Sequence, residues 1–189
     1  MDGKRTELRD SIVGERTLYE GRAYDFVELM LRQPDGVERP RPIVRHRGAV
    51  VIVPLLETPG RSSKVVFVVN DRHAINGRLE ELPAGGIDPG ETADEAAARE
   101  LGEETGFVAS ALHPLGTFYT TPGMTDEVMH AYVGLGLTPR PEGQDLQPDE
   151  SLSVKQRSSG DALEAVANGT LRDGKTMLAL LLAQSRGYL

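Results

Sequence analysis

The 189-residue sequence has no cysteine and no tryptophan. Without cysteine it can form no disulfide, carry no thiolate nucleophile and build no zinc–thiolate centre. Basic residues are also in deficit: 21 Lys and Arg stand against 29 Asp and Glu, a net charge of −8. No basic patch can therefore track a phosphate backbone, so no nucleic-acid polymer is expected as a partner. Apolar runs are short. None approaches the ~18 residues of a membrane span, so no membrane partner is expected. The opening residues MDGKRTELRDS lack the apolar core of a signal peptide, which makes the cytoplasm the expected location. The four histidines, His46, His73, His113 and His130, show no metal-ligand spacing. Gly85-Gly86 is not followed by G-K-[S/T], so that loop is no phosphate loop, and no G-x-S-x-G nucleophile motif occurs.

What is present centres on Gly85 to Phe107. Gly85, Gly86, Pro89 and Gly90 make a loop. Thr92 and Glu95 form a T-x-x-E capping box that opens a helix over 93–105, and Gly106 stands where a helix ends. At about 100° per residue, Glu100, Glu103 and Glu104 fall on one arc, with Ala93, Ala96 and Ala97 on the same arc earlier. A Glu-rich helix is ordinarily a solvated face with i,i+4 pairs. Here Arg99 is the one basic residue, able to pair with Glu95 or Glu103, and small side chains flank the three glutamates. Such a cluster suits a hard divalent cation that takes oxygen ligands, magnesium above all.

Around this stretch the chain is long enough for one domain with a sizeable core. Residues 17–20 and 23–33 read as strands, with Pro34-Asp35-Gly36 as a turn and a return strand after it. Pro40 to Gly48 reads as a basic, proline-containing connector. Residues 49–56 and 64–70 are β-branched core strands. Residues 79–84 lead into the loop. Residues 115–121 and 128–137 are strands, 139–148 a long polar loop, and 151–157 a short strand. Helices are expected over 161–168, closed by Gly169, and over 174–186, with Leu178, Leu181 and Leu182 as its apolar stripe. The division expected is 1–45, a small N-terminal β subdomain, and 46–189, the main domain. Strands interleaved with helices give an α/β class, an α/β/α sandwich around a mixed sheet.

The spacing G-x5-E-x7-R-E-U-x-E-E-x-G-U (U an apolar residue) resembles the Nudix box. Gly85, Glu91, Arg99, Glu100, Leu101, Glu103, Glu104, Gly106 and Phe107 all fit it. Beyond the box, Pro122, sixteen residues after Gly106, and the run Tyr119 to Glu127 resemble the ADP-ribose pyrophosphatase subgroup. So do Leu82-Pro83-Ala84-Gly85-Gly86, Arg72-His73-Ala74 and Asp173-Gly174-Lys175-Thr176. The likeness runs over roughly residues 15 to 186. Three departures stand out. Glu80 replaces an aromatic common in relatives, Asn70-Asp71 stands where the pattern has Q-Y before the arginine, and no tryptophan is available to stack on adenine, leaving Tyr19, Tyr24 and Phe26.

The resemblance implies the Nudix fold and a hydrolase that cleaves a nucleoside diphosphate linked to another group. ADP-ribose, yielding AMP and ribose 5-phosphate, is the leading substrate. GDP-mannose or another nucleotide sugar is the alternative, and a non-catalytic ligand-binding domain a third reading. It implies Mg²⁺, with Mn²⁺ as a substitute, held by Glu100, Glu103, Glu104 and the backbone carbonyl of Ala84. Arg99 would orient the cluster, and Glu91 would stabilise the loop–helix junction. Arg99 and Glu103 count as catalytic together with a general base from the late loop; Glu150 is preferred there over Glu142, with Glu127 a third candidate. Arg72, Pro122, Gly123, Glu127, Tyr24 and Phe26 would contact the substrate. Relatives exchange the N-terminal subdomain between protomers, which implies a homodimer.

Overall fold

A computed structural model describes residues 10–57, 63–147 and 151–189. The described chain divides into two units. One runs to Arg47 and takes in Thr121–Glu127; the other comprises Gly48–Thr120 and Val128–Leu189.

The first unit is an antiparallel sheet in the order β1 (Ser11–Tyr19), β2 (Tyr24–Arg32), β3 (Glu38–His46). β3 corrects the sequence reading, which made Pro40 to Gly48 a connector. Prolines end central strands because they cannot donate to the ladder, but β3 is an edge strand. Pro40 and Pro42 share their parity with Val44 and His46. That parity turns its amides away from β2: Val44 N donates to Met124 O at 2.8 Å, and His46 N to Asp126 Oδ1 at 2.8 Å. The two prolines thus sit where no partner is needed, and the amides beyond them hold Thr121–Glu127. Arg45 Nη1 adds an ion pair to Asp126 at 2.9 Å. β1 also begins earlier than residue 17, because its pairing with β2 runs from Ser11 to Tyr19.

The second unit holds β4 (Ala49–Leu56), β5 (Lys64–Arg72), β6 (Gly77–Glu81), β7 (Ala84–Gly86), α1 (Ala93–Thr105), β8 (Phe107–Val108), β9 (Ala111–Tyr119), β10 (Val128–Leu135), β11 (Thr138–Pro139), β12 (Leu152–Ser158), α2 (Ser159–Ala167) and α3 (Gly174–Ser185). Its main sheet runs β12-β5-β4-β10-β9, with β6 on β5 and β7 on β4. β10 lies parallel to β4, and the other pairings are antiparallel. The period of two along β4 assigns its side chains to two layers. Val50 and Ile52 pack with Ala96, Ala97 and Tyr132 on the α1 side. Val51, Val53 and Leu55 join Ala162, Ala165, Ala179 and Leu180 on the α2–α3 side. Both faces are covered, which explains why β4 is apolar at every position. The result is the expected α/β/α sandwich with a mixed sheet.

α1 begins and ends as its sequence dictates. Thr92 and Glu95 make the reciprocal capping box, and Gly106 closes the helix at φ 71°. α3 departs from expectation. Its buried positions are Thr176, Ala179, Leu180 and Ala183, whereas Leu178 and Leu181 are exposed. The buried face combines the small Ala179 and Ala183 with Thr176 and the large, fully buried Leu180, while Leu182 packs partly against the same core. Among the described residues no helix is long and apolar enough to cross a membrane.

Candidate active site

β7 pairs with β4 through Ala84, Gly85 and Gly86, which lays this short strand across the C-terminal half of α1. The approach is close: a Cβ on Gly85 would overlap the Glu100 carboxylate. Ala84 N donates to Glu104 Oε2 at 2.9 Å. Glu100 and Glu104 are 5% and 4% exposed, so two carboxylates lie buried beneath the loop. Glu103 is half-buried beside them.

Arg99 is the hub of the cluster, and all five of its N–H donors have acceptors. Nε and Nη2 fork onto Glu91 at 2.8 and 2.9 Å, and Nη2 also reaches Gly86 O at 2.9 Å. Nη1 bonds Glu100 at 2.8 Å and Glu103 at 3.2 Å. Of the two partners read from sequence, Glu103 is used and Glu95 is not, because Glu95 bonds Thr92 in the capping box. The hydrogen bonds from Arg99 hold the Glu91 carboxyl below the usual range, and Glu91 in turn raises the Arg99 guanidinium above its own. Glu91 also accepts from Asp88 N at 3.0 Å, tying loop to helix.

The donor set is all oxygen, three carboxylates and the carbonyl of Ala84, which fits a hard divalent cation. The buried, closely covered carboxylates are consistent with that fit. Among the described residues, however, no three acidic or histidine side chains are drawn into a ready ligand cluster. Glu100 and Glu103 turn to Arg99, and Glu104 turns to the Ala84 amide.

The other residues singled out from sequence fall in two places. Arg72 ends β5 in the second unit and forks onto Glu81 at 2.7 and 2.6 Å. Tyr24 and Phe26 lie on β2 of the first unit, exposed and edge-to-face at 5.8 Å. Tyr19 adds a third ring 6.4 Å from Phe26. Pro122 and Gly123 are exposed in the segment bound to β3, and Glu127 Oε1 lies 3.7 Å from His46 Nε2. Glu150 lies outside the described residues, and Glu142 is exposed.

Sequence reasoning missed two sets of contacts. The loop after β11 is fastened to the end of α1: Arg140 N donates to Gly106 O at 2.8 Å, Asp145 N to Glu103 O at 3.0 Å, and the Gln144 side chain to Glu104 O at 2.6 Å. These satisfy carbonyls that a helix end leaves open, and no spacing rule identifies them. The second set is around Glu81, which is 1% exposed and held by Arg72 and Lys175. Its signal was the D-G-K-T string, whose role was not read.

Burial pushes the Glu81 carboxyl up, but its bonds to Arg72 and the charge of Lys175 outweigh this and leave it lowered. The stabilisation is therefore complete above the unfolded value of about 4.3 and lost as pH falls through the lower folded value. Urea unfolding from pH 6 to pH 3 is expected to show a steep loss of stability in the parent. Glu81→Gln should give a shallower slope from a lower plateau, and equal slopes would refute the assignment.

Residues 45–179 match the NUDIX domain, about seven-tenths of the chain. The chain belongs to the Nudix family. Its similarity extends to the ADP-ribose pyrophosphatase of Bacillus subtilis (strain 168), 30% identical over 177 residues, covering 94% of each chain. The methanol dehydrogenase activator of Bacillus methanolicus is 31% identical with the same coverage. A crystal structure of an ADP compounds hydrolase shares the fold, with TM-score 0.78 and 23% identity over 98% of this chain and 100% of the other. This Nudix hydrolase thus comes from a family of enzymes that use divalent metal ions.

Proposed function

We propose that this Nudix hydrolase cleaves the diphosphate bond of a nucleotide sugar in a magnesium-dependent reaction, with ADP-ribose as substrate and AMP and ribose 5-phosphate as products. The observation that carries the reading is the pair of buried carboxylates, Glu100 and Glu104, directly beneath the Ala84–Gly85 backbone. The name borne by the Bacillus subtilis relative supports the choice of ADP-ribose. Mg²⁺, or Mn²⁺ in its place, would be held by Glu100, Glu103, Glu104 and the Ala84 carbonyl. Such an ion, when bound, neutralises diphosphate charge and makes water a nucleophile near neutral pH.

The remaining work belongs to the chain. Arg99 holds Glu100 and Glu103 in place through fixed donors. Arg72, kept rigid by its fork onto Glu81, offers a planar guanidinium suited to phosphate oxygens. Tyr24 and Phe26 offer exposed rings on which a base can stack. Pro122, Gly123 and Glu127 complete the proposed substrate contacts. Glu150 is the proposed general base that takes the proton from the attacking water.

A GDP-mannose reading is favoured by one feature. Glu80 stands where relatives carry an aromatic and is paired with Lys155 at 2.6 Å and with Arg157, so this position offers charge and no stacking face. Incubation with Mg²⁺ and ADP-ribose, GDP-mannose, UDP-glucose, NADH or diadenosine polyphosphates, with products separated by chromatography, decides between them. AMP released fastest from ADP-ribose is the expected result. Faster turnover of GDP-mannose would transfer the assignment, and no turnover of any compound would remove it.

A homodimer built through the N-terminal unit is part of the same proposal. Its sheet exposes the large apolar side chains Ile12, Val13, Leu18, Tyr19, Tyr24 and Phe26, with Tyr19 and Tyr24 both against Phe26, and covering them with a second copy would remove apolar area from water. Light scattering of the intact protein is expected to give twice the chain mass. A strictly monomeric protein with full activity would contradict this.

A further inference from the structure

One string in the sequence remains unused by the proposed reaction. Gly169 to Thr176, GTLRDGKT, matches the phosphate-loop pattern G-x-x-x-x-G-K-T. A phosphate loop joins a strand to a helix, but here α2 precedes the string. The two residues that would meet a phosphate are also turned inward. Lys175 Nζ bonds Glu81 and, at 3.0 Å, Asp173. Thr176 is fully buried; its hydroxyl accepts from Leu82 N at 2.8 Å and donates to Asp173 Oδ2 at 2.6 Å.

These bonds converge on four consecutive residues. The Glu81 carboxylate is gripped by Arg72 and Lys175. The Leu82 amide is held by Thr176, and the Pro83 carbonyl by Ile52 N at 3.0 Å. The Ala84 amide is held by Glu104. Pro83 has a fixed φ, so little slack remains between the anchored Leu82 amide and the Ala84 peptide. Two cations, Arg72 and Lys175, meet two anions, Glu81 and Asp173, so the buried group is balanced in charge.

We propose that the first turn of α3, through Lys175 and Thr176, is a positioning device for the Glu81–Ala84 segment. Thr176 acts through the Leu82 amide on the Ala84 carbonyl and its neighbour Glu104. Lys175 acts through Glu81 on the orientation of Arg72. The inference rests on the reading of Ala84 and Glu104 as cation ligands and of Arg72 as a phosphate contact. A mere staple between helix and strand predicts lower stability and nothing else.

Calorimetric binding of Mn²⁺ to the full-length protein separates the two. Thr176→Val keeps the side-chain volume and removes both hydroxyl bonds; it is expected to weaken Mn²⁺ binding roughly tenfold. Thr176→Ser restores the hydroxyl and is expected to stay within about twofold of the parent. Lys175→Met is expected to raise KM for ADP-ribose severalfold with kcat little changed. Thermal melts run alongside report folding, and Lys175→Met, at a partly exposed position, keeps the question decidable if Thr176→Val does not fold. Variants that melt lower yet bind Mn²⁺ and substrate as the parent does would overturn the proposal. A parent protein that binds no Mn²⁺ would instead overturn the ligand reading beneath it, a different and distinguishable failure.

Discussion

Glu104→Gln is expected to lower kcat/KM about a thousandfold while leaving the fold intact. The substitution keeps the shape of the side chain and an oxygen to accept the Ala84 N–H, which now bonds Glu104 Oε2 at 2.9 Å. It removes one negative charge from a position only 4% exposed. A buried carboxylate costs desolvation energy, so the melting temperature is expected to hold or rise. Loss of the proposed cation ligand would act on the transition state instead, where metal stabilisation is worth several kcal/mol. At ~1.4 kcal/mol per factor of ten, about 4 kcal/mol corresponds to the expected loss. Steady-state kinetics at saturating Mg²⁺, paired with a thermal melt, checks both halves. Full activity with wild-type melting would remove Glu104 from the proposed metal site.

The largest effect on stability is expected at Arg99. Arg99→Leu removes the five Arg99 hydrogen bonds, four of them to Glu91, Glu100 and Glu103, whose side chains are 15%, 6% and 24% exposed. Breaking a buried ion pair costs about 3–5 kcal/mol. Arg99 itself is 24% exposed, so solvent screens part of that, and a loss of about 2–3 kcal/mol is expected. Arg99→Lys recovers only a fraction of it, because one ammonium cannot serve a forked contact to Glu91 together with Gly86 O, Glu100 and Glu103. Urea denaturation curves for the three proteins measure the series. A Leu variant within 0.5 kcal/mol of the parent would show that the hub is solvent-screened throughout.

Both predictions concern α1, the part most legible in the sequence. Its start needs only Thr92 and Glu95, three residues apart, and its end only Gly106 with a positive φ. Its carboxylate arc follows from helix periodicity. Such rules act over a single turn and survive any surroundings. The continuous β-branched run of β4 is equally local in origin, and it sufficed to mark a buried core strand.

Other features depended on neighbours distant in the chain. Pro40 and Pro42 look like chain breakers until β3 proves to be an edge, with their parity facing away from β2. Leu178 and Leu181 look like a core stripe, but the helix turns Thr176, Ala179, Leu180 and Ala183 to the core instead. The choice of Glu91 over Glu95 as the forked partner of Arg99 needed the loop to fold back over eight residues. Glu81, a charged residue in a strand, is buried where Arg72 from one strand and Lys175, 94 residues further along the chain in a helix, meet at it. The sequence by itself determined the family, the α/β class and the cluster of carboxylates on one helix face, since each follows from residue type and short spacing. Only the tertiary structure decided which cations hold those carboxylates and what anchors the strand above them. Ion pairs and close packing are set by where separate segments converge, and spacing along the chain carries no record of that.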